Sequence, residues 1–279
     1  MDYTREITDR KICVLGKDEA LRKYMTERLA ELKFINVSNA EDIDEAVLSA
    51  EAILIVDDGK AGYDLVKACA GAAKKVLWVA PSYLDKADYK KLEEFSDLVK
   101  IGFLRRYDYL YENFKSKVDN FLVFKKMLSG NCGVRIPLVS VYGEKHPMKE
   151  DLIFRLLDGF SFMLGEGIVK TELKDSSAKE GLGDRFIAEV TTEKGVNIEI
   201  TVDTGDFESQ ENFEILMERG KFQFFAPINE ERIYKDYIGV YHMLEEWEKV
   251  LTGGKTENLA EVCDAVAIVN AVGFCLVNR

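Results

Sequence analysis

Four nearly continuous apolar runs and one short stub, each followed by a stretch of helical periodicity, set the strongest limit on what this chain can fold into. Lys11-Ile-Cys-Val-Leu-Gly16 reads as a buried strand that stops on glycine. Asp18 to Lys33 follows with Leu21, Met25, Leu29 and Leu32 at helical spacing. A stub at Phe34–Val37 and a helix over Ile43–Leu48 come next, then the fully apolar Ala52-Ile-Leu-Ile-Val56. Leu65–Ala70 opens another helix, and Lys75-Val-Leu-Trp-Val-Ala80 is a strand closed by Pro81. A charged helix through Asp85–Phe95 and a strand at Leu98–Phe103 complete the set. Strands without polar alternation are covered on both faces, so the pattern predicts a doubly wound parallel sheet ending near residue 106.

The rhythm then changes. Tyr107 to Leu128 has the spacing of one long amphipathic helix, with Tyr107 and Tyr111 packing one face. A strand at Val134–Tyr142 and a helix at Leu152–Leu164 follow. Strands are expected at Arg185–Glu193, Val196–Asp203, Asn212–Met217 and Lys221–Ala226, with glycine turns at 193–195 and 218–220 that make antiparallel hairpins. Two helices, Tyr237–Leu251 and Leu259–Leu276, close the chain. The division is therefore a Rossmann-like domain over 1–106 and an α+β domain with an open antiparallel sheet over 107–279.

Composition narrows the class. The 279 residues hold 38 basic against 50 acidic side chains, a net charge of −12, which argues against nucleic acid as a partner. No apolar run nears the ~20 residues a spanning helix needs, so no membrane association is expected. The polar, acidic start MDYTREITDR resembles neither a secretory signal nor a transit peptide, and five scattered cysteines without CxxC spacing suit a reducing compartment. A cytoplasmic protein is the expectation. Two histidines, His146 and His242, leave no His-rich metal centre, and no metal site is expected.

The order of motifs resembles the Gfo/Idh/MocA (glucose–fructose oxidoreductase) family of NAD(P)-dependent sugar and polyol dehydrogenases, over nearly the whole chain. Lys74-Lys-Val-Leu-Trp-Val-Ala-Pro81 occupies the place of that family's KHVLCEKP strand. Gly102-Phe-Leu-Arg-Arg-Tyr-Asp108 looks like its GFNRRFDP segment. Asp151, Asp158 and Gly165 match the spacing of its DxGxHxxDxxxxLLG helix, and the tail from Tyr237 through Trp247 to Gly253-Gly254 resembles its C-terminal pair. The resemblance implies NAD(P) as cofactor, a substrate cleft between domains, and a homodimer through the C-terminal sheet or a mixed oligomer with an active paralogue. Family members commonly run several tens of residues longer, and the stub at Phe34–Val37 implies that much of the adenosine-side unit is missing.

The departures fall on the chemistry. A dinucleotide fingerprint needs glycines where the backbone meets the pyrophosphate at a helix N-terminus. In Gly16-Lys-Asp-Glu-Ala-Leu21 only the first glycine survives, and Asp18 and Glu19 put negative charge where the family puts a diphosphate. Gly16 and Lys17 remain as cofactor-binding candidates. Asn39 or Asp42 stands where a ribose contact belongs, with a helix cap as the alternative use. By resemblance the family's proton-relaying lysine falls on Ala80, the glutamate beside it on Val79, and its histidine on Arg155. Alanine transfers no proton and arginine stays charged, so an acid–base contribution of ~10²–10⁴ in rate is missing.

Replacement candidates are Lys145 and His146 in the loop before the 152–164 helix, together with Arg155 and Asp151. For a small-molecule ligand the candidates are Arg105, Arg106, Arg155 and Asp158, either as an anion-tolerant pocket or as a structural ion-pair set. Three functions stay open: a homologue with eroded cofactor and catalytic motifs that binds a ligand or partner without catalysis, an NAD(P)-dependent oxidoreductase on a sugar or polyol with a changed acid/base set, or a regulatory protein that senses a metabolite by domain closure and needs Arg155.

Overall fold

The computed structural model describes residues 8–108, 111–112, 115–116, 133–140, 149–179, 183–193, 195, 197–203, 210–217, 220–227 and 237–277. They form two compact units, residues 1–107 with 237–266 and residues 108–236 with 267–279.

In the first unit the strands are β1 (Thr8–Leu15), β2 (Phe34–Ala40), β3 (Ala52–Ile55), β4 (Lys75–Val79) and β5 (Val99–Gly102), all parallel in the order β2-β1-β3-β4-β5. Ile12, Cys13, Val14 and Leu15 of β1 and Ile53, Leu54 and Ile55 of β3 have no exposed surface, as uninterrupted apolar strands require. Their helices are α1 (Glu19–Glu31), α2 (Ile43–Ser49), α3 (Gly59–Gly71) and α4 (Lys86–Leu92), the last running into a 3-10 turn at Glu93–Phe95. Burial also pushes the Cys69 thiol on α3 up to about 12, so it stays an inert core thiol.

β2 is no stub. It runs seven residues and pairs with β1 from Phe34 to Ala40, because backbone pairing carries Ser38 and Asn39 into the strand despite their polarity. The adenosine-side unit is therefore present as strand and helix. Asp42 takes the cap role, its side chain accepting the Asp44 N–H at 2.7 Å, while Asn39 stays exposed in the strand.

The first unit ends at Tyr107, one residue from the expected boundary, and 237–266 packs with it. α6 (Tyr237–Leu251) lies against the 3-10 turn Leu104–Tyr107, close enough that Gly239 would place a Cβ 3.0 Å from the Tyr107 carbonyl oxygen. Ala260 pairs with Ile101 on the free edge of β5, and Lys100 forms an ion pair with Glu261. Lys75 Nζ donates to the carbonyls of Val250 and Leu251 at 3.3 and 3.5 Å. Glu246 ties these together by accepting from the Tyr107 hydroxyl, Thr256 Oγ1 and the N–H groups of Asn258 and Leu259.

The second unit holds β6 (Gly133–Ser140), α5 (Lys149–Leu164), β7 (Ile168–Lys179), β8 (Gly183–Thr192), β9 (Asn197–Asp203), β10 (Gln210–Met217) and β11 (Gly220–Pro227). Its open sheet has the order β11-β10-β6-β9-β8-β7, antiparallel except for the parallel pair β6–β9. The hairpins at 193–195 and 218–220 stand as expected. The edge strand β7 has no counterpart in the sequence reading. Its register shifts between 168 and 170 and between 173 and 175, which erases the period-two signal, and Lys170, Glu172 and Lys174 interrupt its apolar residues. Lys170 and Lys174 pair with Glu172 and hold its exposed carboxyl down to about 2.

Ala188 and Val190 of β8 and Ile198 and Ile200 of β9 are buried. Of the expected helix 107–128, Tyr111–Glu112 and Lys115–Ser116 are helical, and the rest beyond Asp108 lies outside the described residues. Tyr107 is buried in the first unit, and Tyr111 in the second, where Gly159 of α5 leaves room for its ring. α7 (Val262–Val277) closes the chain. Among the described residues, no helix is long and apolar enough to cross a membrane.

Burial alone would raise the Glu246 carboxyl, but its hydrogen bonds from Thr256, Asn258, Tyr107 and Leu259 outweigh that and hold it below its usual value. Glu246→Ala removes the acceptor of four hydrogen bonds and is expected to cost about 2–4 kcal/mol in urea unfolding at neutral pH. With a depressed folded pKa, the contribution is full above the unfolded value near 4.5 and fades as pH falls through the folded value. A loss below about 0.5 kcal/mol would contradict the clamp.

Candidate functional site

In an open parallel sheet, ligands bind beyond the carboxyl ends of the strands, where the strand order reverses. Here that point lies between β1 and β3, since β2 is on one side of β1 and β3, β4 and β5 are on the other. The residues that meet there are Gly16-Lys17-Asp18 after β1 and Val56-Asp57-Asp58 after β3.

Gly16 is buried, and the two loops touch. A Cβ on it would stand 2.5 Å from Val56 Cγ2 and 2.8 Å from Asp57 Oδ1, so a side chain does not fit. The absence of a side chain that would let a pyrophosphate approach is used here to let Asp57 approach. Asp57 Oδ1 accepts the backbone N–H of Lys17 at 2.7 Å, which is the first donor a phosphate would find. Asp18 takes the next position. It caps α1, and its Oδ1 accepts the Leu21 N–H at 3.0 Å. Two donors at this helix entrance, the Lys17 and Leu21 N–H groups, are thus answered by the chain's own carboxylates. Lys17 offers its side chain to solvent.

Asp57 is held from behind. Its carbonyl accepts Trp78 Nε1–H at 2.8 Å, and Gly62 of α3 lies so close to that carbonyl that a Cβ would collide with it. Ser82 Oγ donates to Asp58 Oδ2 at 2.8 Å, the Tyr89 hydroxyl donates to the Ser82 carbonyl at 2.9 Å, and Tyr89 stacks on Trp78. The loops after β1, β3 and β4 are therefore laced to one another.

On the adenosine side, Arg22 of α1 is 4% exposed; it donates to the Gly16 carbonyl and, at 2.9 Å, to Glu41 Oε1 just past β2. An acidic residue at that place is what a ribose contact needs, and Glu41 spends its charge on Arg22 instead. At the end of β4, Ala80 has φ +46° and gives its N–H to the Gly102 carbonyl at 2.9 Å. The place that resemblance assigns to a proton-relaying lysine is a strained, left-handed alanine with a single methyl group.

The other sequence candidates divide between the units. Arg105 and Arg106 are buried in the 3-10 turn of the first unit. Arg106 donates to the Asn258 carbonyl at 3.3 Å, lies 3.8 Å from Asp264 and stacks over Phe103, so it anchors the C-terminal segment. Arg155, Asp151 and Asp158 lie on α5 in the second unit: Asp158 is fully buried, while Arg155 and Asp151 are half-buried. Lys145 and His146 lie outside the described residues. His242 is exposed on α6 and pairs with Glu245 at 3.0 Å, a surface role. No cluster able to hold a metal ion occurs among the described residues.

Sequence reasoning missed Asp57 and Arg22. Asp57 was open to discovery as half of an Asp-Asp pair directly after a fully apolar strand, where carboxyl-end loops gather. Arg22 carried a fainter signal, as a lone cation among the inward positions of α1.

No protein-family model matches the sequence. The sequence is 28% identical over 166 residues to the inositol 2-dehydrogenase of Rhodococcus jostii, covering 56% of this chain and 45% of the relative. It is also 28% identical over 177 residues to the inositol 2-dehydrogenase of Rhodococcus erythropolis, covering 60% and 49%. The chain thus spans about half the length of these curated relatives. The crystal structure of a probable dehydrogenase from Thermotoga maritima superposes with TM-score 0.76 at 16% identity, over 96% of this chain and 98% of that one. A myo-inositol dehydrogenase from Lactobacillus casei, solved in complex with NAD(H) and myo-inositol, gives 0.73 at 16% identity over 96% and 94%. The fold is that of these two dehydrogenases. The ordered motifs, the sequence similarity and the fold thus agree in making the chain similar to these dehydrogenases.

NAD(P) is the cofactor this family implies, and the residues at the switch point do not fit it. A diphosphate needs the Lys17 N–H that Asp57 holds, and it would meet the charges of Asp57 and Asp18. Gly16→Ala, which forces the two loops apart, is expected to cost about 1–3 kcal/mol in thermal or urea unfolding. A neutral result would mean that the Gly16–Asp57 approach is loose.

Proposed function

We propose that the chain has given up dinucleotide-dependent hydride transfer and acts by binding a small molecule or a protein partner. The observation that carries this reading is the 2.7 Å hydrogen bond from the Lys17 N–H to Asp57. Loss of the proton-relaying side chain at Ala80 supports it independently. For ligand contact we propose Arg155, half-buried on α5.

A second reading draws on the relatives, which are named inositol 2-dehydrogenases. In it the chain is an NAD(P)-dependent oxidoreductase on a sugar or polyol, with Lys17 or Lys145 in a changed role. Fluorescence titration with NADH and NADPH separates the two. We expect no saturable binding below about 1 mM, whereas a micromolar Kd, about 4 kcal/mol tighter, would favour the enzyme.

A further inference from the structure

We propose that Asp57 is a built-in occupant of the phosphate cradle, and that this one carboxylate sets the sheet's carboxyl end against anionic ligands. The proposal rests on the reading that the chain does not use NAD(P), and names the residue responsible.

Three features distinguish an occupant from a chance neighbour. The first is position. Asp57 Oδ1 sits 2.7 Å from the Lys17 nitrogen and 2.8 Å from where a Gly16 Cβ would stand, so an anionic oxygen already fills the space beside the glycine. The second is rigidity. The Asp57 backbone is fixed by Trp78 Nε1 and by the close approach of Gly62, and Trp78 is itself fully buried and stacked on Tyr89. The carboxylate is therefore preorganised and needs no ligand to set it. The third is company. Asp58, the next residue, is turned to Ser82, and Asp18 to Leu21, so neither competes for the Lys17 donor. Among the described residues, Asp57 is the acid that accepts from that donor, where a phosphate would approach.

A carboxylate tethered in the fold competes with a free anion at a large advantage in effective concentration. It also repels a second anion at short range. Removing it frees the donor and the charge together, and leaves the glycine clearance intact. The loop after β3 stays held by Trp78 at the Asp57 backbone carbonyl, which a side-chain substitution does not touch.

The test is calorimetric titration of inorganic pyrophosphate and of NADH into the whole chain, its Asp57→Ala variant and its Asp57→Asn variant. Asp57→Ala is expected to bind pyrophosphate about 10- to 100-fold more tightly than the parent, the worth of one charge-assisted hydrogen bond. Asp57→Asn, which keeps an acceptor but loses the charge, is expected to fall between them. Circular dichroism checks folding; if the alanine variant does not fold, the near-isosteric asparagine variant decides alone, tighter binding supporting the proposal and unchanged binding overturning it. A parent that binds neither ligand, with variants no tighter, overturns the role of Asp57 and leaves the proposed function standing. A parent that already binds NADH in the micromolar range overturns the proposed function itself.

Discussion

The hydrogen bond from the Lys17 N–H to the Asp57 carboxylate decides how the first unit can be used. It joins the loops that leave β1 and β3, the two strands that border the reversal of strand order. Everything around it is arranged to let it form: a glycine with no room for a side chain, a second glycine pressed against the Asp57 carbonyl, and an indole that fixes that carbonyl. A charged hydrogen bond at a helix entrance is what a Rossmann-type unit offers to a dinucleotide. Here the anion comes with the chain.

Much of the fold was legible in the sequence, because parallel strands buried on both faces leave uninterrupted apolar runs. Ala52–Ile55 and Lys75–Val79 appear almost residue for residue. The hairpin turns around Gly195 and Gly220 were equally plain. Polar strands were not. Ser38 and Asn39 sit in β2 through pairing with β1, and β7 sits at a sheet edge with two register shifts, where neither burial nor alternation marks it. The placement of 237–266 was hidden for another reason: a chain's return to an earlier unit depends on long-range contacts such as Ile101 with Ala260 and Glu246 with Tyr107.

For the site, the sequence showed what was missing and not what replaced it. The lost glycines after Gly16 and the alanine at position 80 are visible as departures from a pattern. The partner of the Lys17 donor is 40 residues away in the chain, and no spacing rule connects them. Likewise, Glu41 reads as an exposed acid before α2 until Arg22 is found buried beneath it. In both places an acid meets a donor of the chain itself, Asp57 on the Lys17 N–H and Glu41 on Arg22.

Amide hydrogen exchange at Lys17 tests most directly whether the cradle is filled from within. Lys17 itself is exposed, so protection of its N–H reports the bond to Asp57 and little else. The account predicts a slowly exchanging Lys17 amide in the protein alone, unchanged when NADH is added. Rapid exchange that becomes protected only with NADH would contradict it.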